Sequence, residues 1–174
     1  MPPQRMVLLA FSGWLLLFQN TLSHGQNPSG GAVTVSPEDR KFLLDAAQNG
    51  QHEVKMGMLG VARGTNSDLK AYAQHILDDH ALSNAEIQAL ARLKGIVLPD
   101  PAKIDDSAER LARLIGIEFD QAFVREEIDG HLKAIAEFEK EDQSATADSD
   151  IKGFAHSALP KMHAHLDQAK AVKL

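Results

Sequence analysis

Apolar residues recur every three or four positions along four long stretches of the chain, which is the spacing of one face of an α-helix. The first predicted helix begins at Ser36-Pro37, because a capping serine followed by proline at the first helical position is typical of a helix start. The four predicted helices run from Pro37 to about Ala62, from Asn66 or Ser67 to about Lys94, from about Glu118 to Asp142, and from about Asp150 to Val172. Strand patterns are almost absent, so the sequence predicts an all-α fold.

The predicted helices have matched lengths of roughly 35 to 40 Å at 1.5 Å per residue, which favours a four-helix bundle. The segment between the second and third long helices, from Ile96 to Gly116, contains a predicted short extra helix from Ser107 to Ile115. This connection is long enough to cross the bundle, as in ferritin-like folds, but its length leaves an up-down-up-down topology open. Pro160 is predicted to kink or divide the last helix.

The N-terminal residues differ from the rest in composition. Arg5 precedes an apolar run from Met6 to Phe18, and small residues follow, which is typical of a secretory signal peptide. The run is shorter than the roughly 20 residues that cross a bilayer, although an uncleaved anchor helix is the alternative. We therefore expect a signal peptide at residues 1–25, a flexible Gly-, Ser- and Pro-rich tether at 26–35 and a bundle domain at 36–174. The expected location is the periplasm, with envelope association or secretion as variants.

Charge and cysteine content exclude several functions. Cleavage after Gly25 removes Arg5 and no acid, so the 18 basic residues become 17 against 24 acidic ones, a net charge of −7. Such a chain is a poor candidate for binding nucleic acid or anionic lipid through a basic patch. With no cysteine, the domain has no disulfide, no lipoprotein anchor and no thiol nucleophile. Phosphate-binding loops and G-x-S-x-G elbows are also absent, so no motif indicates an enzyme.

Polar residues interrupt the apolar faces near the middle of the helices. His80, for example, shares its face with Leu69, Ile76 and Ile87. The residues predicted to face inward are Glu53, His80, Asp120, Glu127, His131 and His165. Carboxylates and imidazoles from facing helices are ligands of Fe, Mn, Zn or Cu, so these six residues are the candidate metal ligands.

A second hypothesis explains the same pattern without a metal. Buried carboxyl and imidazole groups, with Ser83 and Asn84, could form a hydrogen-bonded network closed by water. Asp120 could instead cap the third long helix. Gly50, Gly57 and Gly60 in the first helix predict close approach of a neighbouring helix or a ligand, or simply tight packing. His75 is expected on the surface, as are His52, His156 and His163, and the helix pattern directs Asp78 and Asp79 away from the His80 face.

Three stretches, EVKMGMLGVARGTNSDLKAYAQHILDDH, GIEFDQAFVREEIDGHLKAIAEFEKE and DIKGFAHSALPKMHAHLDQA, resemble a bacterial exported family known as domain of unknown function 4142. Its members are often labelled outer-membrane proteins and placed in the ferritin-like superfamily, and the resemblance covers about residues 38–172. It implies a ferritin-like bundle of unassigned activity. The family signals are Glu53 with Gly57 and Ala62, Asp79-His80, Phe119-Asp120, His131, Leu159-Pro160 and His165.

The sequence departs from di-iron ferritins in one respect. Those proteins use a Glu-x-x-His pair on each of two helices, whereas Leu77 and Ile128 precede His80 and His131 by three residues. The expected site is therefore mononuclear or histidine-rich. We expect an exported protein that handles metal or protects the envelope from oxidative stress, with any envelope association peripheral and no protein partner indicated. The alternative is a non-catalytic interaction module with a metal-free polar core.

Overall fold

The computed structural model of the protein describes residues 35–100 and 107–174, so the predicted signal peptide and almost all of the tether lie outside the described residues. The described residues contain helices and no strand, which confirms the all-α fold. The helices are α1 (Pro37–Arg63), α2 (Ser67–Leu93), α3 (Ser107–Leu111), α4 (Gly116–Gln143) and α5 (Ser149–Ala171). Among them, none combines the length and the apolarity that a bilayer crossing requires.

Local side-chain caps begin three of the long helices. Ser36 Oγ accepts a hydrogen bond from the Asp39 N–H at 3.0 Å, as the sequence predicts. Asn66 Oδ1 accepts from the second and third residues of α2, and Asp148 Oδ1 does the same for α5. Helix α3 ends at Leu111, four residues earlier than expected, and α4 begins at Gly116, where a φ of 59° suits a glycine.

Pro160 does not divide the last helix, so that part of the prediction is wrong. Helix α5 continues without interruption from Ser149 to Ala171. Buried residues lie on both sides of the proline, including Phe154, Ala155 and Met162. We attribute the continuity to this packing, which compensates for the roughly 3 kcal/mol that an interior proline costs a helix.

Contacts at the two ends of the bundle determine its topology. At one end, Asp39 at the start of α1 accepts a hydrogen bond at 3.0 Å from the N–H of Asp148, in the loop that follows α4. Lys94, just after α2, forms an ion pair at 2.6 Å with Asp148, just before α5. Helices α1 and α4 are therefore antiparallel, and so are α2 and α5.

The two short loops, at residues 64–66 and 144–148, also make α1 antiparallel to α2 and α4 antiparallel to α5. Helices α2 and α4 consequently run in the same direction, and the segment between them must cross the length of the bundle. A single long crossover between the second and third long helices is the ferritin-like arrangement. The structure thus decides between the two topologies that the length of the connection left open.

The core consists of two apolar clusters separated by a polar layer. One cluster includes Phe42, Phe138 and Phe154. The other includes Met56 and Phe123. Between them along the four helices lie the polar residues of the layer, which are Glu53, His80, Glu127, His131 and His165.

The glycines of α1 allow α2 to approach closely. A Cβ atom on Gly57 would lie 2.8 Å from Leu77 Cβ and 2.9 Å from the Ala73 carbonyl oxygen. On Gly60 it would lie 2.6 Å from Ala73 Cβ and 2.7 Å from the Phe123 ring. At these two positions the structure therefore favours tight helix packing over an approach of a ligand.

Candidate metal centre

Three histidines from three helices converge in the polar layer. His80 comes from α2, His131 from α4 and His165 from α5. One ring nitrogen of each lies within 4.8 Å of the corresponding nitrogen of the other two. His131 is 2% exposed and His165 is 1% exposed, whereas His80 is partly buried with an enclosed Nε2 atom. We call these three residues the histidine cluster.

Hydrogen bonds on the far side of two rings fix which nitrogen carries the proton. His131 Nδ1 lies 2.9 Å from the Glu127 carbonyl oxygen, which can only accept, so Nδ1 is the donor. His165 Nε2 lies 2.8 Å from Asp79 Oδ2, so Nε2–H donates to the carboxylate. In the neutral rings, the lone pairs are therefore on His131 Nε2 and His165 Nδ1.

These two lone pairs face each other. His131 Nε2 and His165 Nδ1 are 3.4 Å apart, and neither can donate to the other while its ring is neutral. His80 Nε2 is buried and has no hydrogen-bond partner in the described structure. His131 and His165 thus present two electron pairs to each other, and the centroid of the His80 ring lies 5.5 Å from that of His165, an arrangement that a cation would stabilise.

The surroundings keep the rings neutral. Burial, with a smaller effect from His165 and His131, lowers the pKa of His80 to about 3. Burial lowers the pKa of His131 to about 4 and also lowers the pKa of His165, in both cases against hydrogen bonds that favour protonation. Neutral imidazole is the form that binds metals, so protons compete weakly for these nitrogens near pH 7.

Two carboxyl groups lie on the opposite side of His131. Glu53 from α1 and Glu127 from α4 are 3% and 2% exposed, and together with His131 they form a second group of potential ligands. Burial and the neighbouring Glu127 carboxylate raise the pKa of Glu53 well above its usual range. Burial raises the pKa of Glu127 to about 7, although hydrogen bonds from Tyr72 and Glu53 oppose the shift.

Both shifts favour a proton on the carboxyl pair, because two charged carboxylates repel each other in a buried site. Tyr72 O–H also donates to Glu127 Oε2 at 2.9 Å, while Glu53 Oε2 has no partner in the described structure. Burial and the two carboxyl groups raise the pKa of Tyr72, so its hydroxyl stays protonated. The carboxyl half of the polar layer is thus satisfied mainly by hydrogen bonds.

Asp79 orients the histidine cluster from outside. Besides His165, its carboxylate contacts His75 Nε2 at 3.2 Å and Lys161 Nζ at 3.3 Å. Burial alone would raise the pKa of Asp79, but the hydrogen bonds from His165 and Lys161 outweigh it and lower the pKa. A charged carboxylate therefore remains available to hold the His165 ring.

The structure does not bring Asp120 to the cluster, in contrast to the expectation that it lies in or beside the ligand set. Its carboxylate accepts hydrogen bonds from the Thr65 N–H at 3.0 Å, the Thr65 hydroxyl at 2.6 Å and the Asn66 N–H at 3.1 Å. It holds the α1–α2 loop onto α4 and does not cap its own helix. The physical reason is its position near the start of α4, about three turns from His131.

The other five predicted residues do occupy one layer, but the helix pattern missed two residues that form hydrogen bonds with it. Asp79 is one residue from His80 and points about 100° away from it around α2, yet α5 passes on that side. The family resemblance contained Asp79, so a signal for it existed. Tyr72 carried no such signal, because a tyrosine in an apolar stripe is ordinary core. His75 is exposed as expected, and it still reaches Asp79.

Fold and site together define a four-helix bundle of ferritin-like topology with a polar layer of histidine and glutamate. The chain belongs to the family described as Domain of unknown function (DUF4142), whose sequence pattern matches residues 24–172. No functionally curated protein shows significant similarity to the sequence.

A solved structure supports the fold. The chain is similar to a DUF305 fragment from Deinococcus radiodurans, with a TM-score of 0.69 and 14% sequence identity. The similarity covers 79% of this chain and 96% of that chain. At this sequence identity the similarity confirms the helical fold and gives no information about the site.

Proposed function

We propose that this protein is an exported helical bundle that binds one transition-metal ion through His80, His131 and His165. The observation that carries the proposal is the pair of facing lone pairs on His131 Nε2 and His165 Nδ1, 3.4 Å apart, with the unpartnered Nε2 of His80 beside them. A bound cation accepts both of these electron pairs, and it would also give a partner to His80, whose Nε2 has none in the described structure.

The donor set fits such an ion. Zinc with nitrogen bonds of about 2.0 to 2.1 Å in a tetrahedral site separates its ligands by about 3.3 Å, close to the His131–His165 distance. Metal-bound histidines usually donate the other ring N–H to a carbonyl or a carboxylate, as His131 does to Glu127 and His165 does to Asp79. These outer hydrogen bonds support a ligand role more strongly than burial alone.

The chemistry of the donor atoms also narrows the choice of metal ion. Imidazole suits Zn, Cu and Fe, whereas Mn favours oxygen ligands. We assign Glu53 and Glu127 to the surroundings of the ion, since Glu127 accepts a hydrogen bond from Tyr72 and burial favours a proton on the carboxyl pair. Three protein ligands leave a coordination position open, at which a metal would supply Lewis acidity or, for Cu or Fe, one-electron chemistry.

The role we propose is metal handling or protection against oxidative stress in the cell envelope. It rests on the predicted signal peptide at residues 1–25 together with the buried histidine cluster. Periplasmic location follows from the N-terminal pattern, and a mass measurement on the purified protein tests it by locating the cleavage site.

Elemental analysis is the direct test. The full chain, expressed without a tag in a bacterial host and purified from the periplasmic fraction, would be measured by plasma mass spectrometry and titrated with Zn²⁺, Cu²⁺ and Fe²⁺. We expect about one ion per chain in the wild type and none in His131→Ala/His165→Ala. The control is His156→Ala/His163→Ala, which removes two exposed imidazoles and should retain the ion. Circular dichroism checks that both variants are helical.

One observation favours the metal-free alternative. Tyr72, Glu127 and Glu53 form a hydrogen-bonded chain that needs no ion, as in a structural polar core. In that case the module would serve interaction or scaffolding only. Wild-type protein that takes up no metal on titration, and whose thermal unfolding is unchanged by added metal, would refute the metal site and favour this alternative.

A further inference from the structure

A cavity of about 190 Å³ adjoins the histidine cluster. It has room for several water molecules or for a ligand of a few heavy atoms. His80 and His165 line it, together with Asp79 and Lys161, whereas His131 does not. The cavity therefore reaches the cluster from one side, between α2, α5 and the first half of α1.

The cavity has a polar end at the histidines and a mixed far end, where Ile87 lies beside Glu86 and Ser157. From His80 its lining extends along α2 to Ile87, and from His165 it extends along the antiparallel α5 to Ser157. Seven residues of helix span about 10 Å, so the cavity leads away from the histidines toward the apolar cluster that contains Phe138. A ligand in it has its head group at the histidines.

Charge indicates the kind of head group. Lys161 Nζ is held 3.3 Å from Asp79 Oδ1 while its side chain is half exposed, so the ammonium group lies beside the polar end. The acids that line the cavity are Asp79 and Glu86, and Glu86 is exposed. A divalent ion on the three neutral imidazoles contributes two positive charges and Lys161 a third, while Asp79 and Glu86 contribute one negative charge each. The walls of the cavity then carry a net charge of about +1.

We propose that this cavity binds a small monovalent anion, with its charged end between Lys161 and the open coordination position of the metal ion. The inference rests on the proposed function, because the ion is half of the binding site. Lys161 is the residue of this chain that selects for negative charge. The cavity volume of about 190 Å³ limits the ligand to a few heavy atoms.

Azide is the probe, since it is monovalent, small and gives metal complexes a new absorption band. Full-length protein loaded with Cu²⁺, its metal content measured first, would be titrated with azide in the wild type, Lys161→Met and Ala158→Leu. Lys170→Met is the matched control, because it removes an exposed ammonium group from the same helix outside the cavity. Thermal unfolding checks each variant.

We expect saturable azide binding to the wild type and to Lys170→Met. Lys161→Met should raise the azide dissociation constant about two- to fivefold, the range for a partly exposed charge. Ala158→Leu should weaken binding further by filling the cavity. Both variants should keep their copper.

The outcomes separate the two proposals. If the copper-loaded wild type does not bind azide, or if Lys161→Met and Lys170→Met bind it equally well, the anion site is refuted. The proposed metal site is not affected by either result. Unchanged azide affinity in Ala158→Leu shows a different route to the ion and also overturns the cavity proposal. Wild-type protein without copper overturns both proposals, and the metal analysis reveals this before any azide is added.

Discussion

The Nε2 atom of His131 lies 3.4 Å from the Nδ1 atom of His165, and each ring uses its other nitrogen to donate a hydrogen bond away from the pair. Two helices thus hold two imidazole lone pairs against each other. Such a contact costs free energy in a buried site unless a cation lies between the nitrogens. This relationship distinguishes the cluster from an ordinary core histidine that is hydrogen-bonded on both sides.

Asp79 should act as an orienting residue for the metal. In Asp79→Asn the carboxylate that holds His165 Nε2–H becomes a neutral amide, which weakens both the orientation and the basicity of the ring. We expect about 10- to 100-fold weaker metal binding with the protein still folded. Competition titration with a chelating indicator measures the affinity. Asp78→Asn changes the adjacent exposed carboxylate and should have no such effect; equal affinities in the two variants would contradict the role of Asp79.

Asp120 should matter for stability and not for metal content. Asp120→Ala removes the acceptor for two backbone N–H groups and the Thr65 hydroxyl at the α1–α2 loop. We expect a loss of about 2 to 4 kcal/mol in the free energy of unfolding, measured with urea on metal-free protein. Asp129→Ala, on the exposed side of the same helix, should cost little. If folded Asp120→Ala lost its bound metal, this result would contradict the prediction and make Asp120 a candidate ligand again.

Gly60 should tolerate no side chain. In Gly60→Ala the new Cβ meets Ala73 Cβ and the Phe123 ring at under 3 Å, so α2 or α4 must shift. We expect a destabilisation of about 1 to 3 kcal/mol. Gly153→Ala is the matched control in α5, where a Cβ meets nothing within 4 Å, and alanine should stabilise the helix by up to about 1 kcal/mol. Thermal unfolding of the two variants should therefore shift in opposite directions.

Glu141 should make stability depend on pH. Burial, together with the hydrogen bond and charge of Asp39, raises its pKa from 4.5 to about 7. The folded state therefore holds this proton more tightly than the unfolded state. The resulting stability is fully present below pH 4.5 and is lost as the pH rises through 7.

The amide side chain in Glu141→Gln does not titrate, so this variant should not lose stability as the pH rises through 7. Relative to the wild type, we expect a gain of about 1 to 2 kcal/mol at pH 8 and little change at pH 5. Urea unfolding of metal-free protein at the two pH values measures it. Glu137→Gln, an exposed carboxyl one turn earlier in α4, is the control. A gain of the same size at both pH values would exclude titration of Glu141 as the cause.

The sequence by itself determined the helices, their caps at Ser36 and Asn66, and the inward direction of Glu53, Glu127, His131 and His165. Helical periodicity and capping are local properties, so each is set by residues within a few positions of one another. The same local rules predict that Pro160 kinks or divides the last helix; the division is wrong, because packing on both sides of the proline keeps α5 continuous.

Only the tertiary structure decided which inward residues meet. A helical pattern fixes the direction of a side chain around its own axis, but not the axial register or rotation of the neighbouring helices. The antiparallel pairing of α2 with α5 brought His165 to His80 and Asp79, and the same packing left Asp120 at the α1–α2 loop. The crossover between α2 and α4 likewise depends on contacts between residues far apart in the chain, such as Asp39 with Asp148.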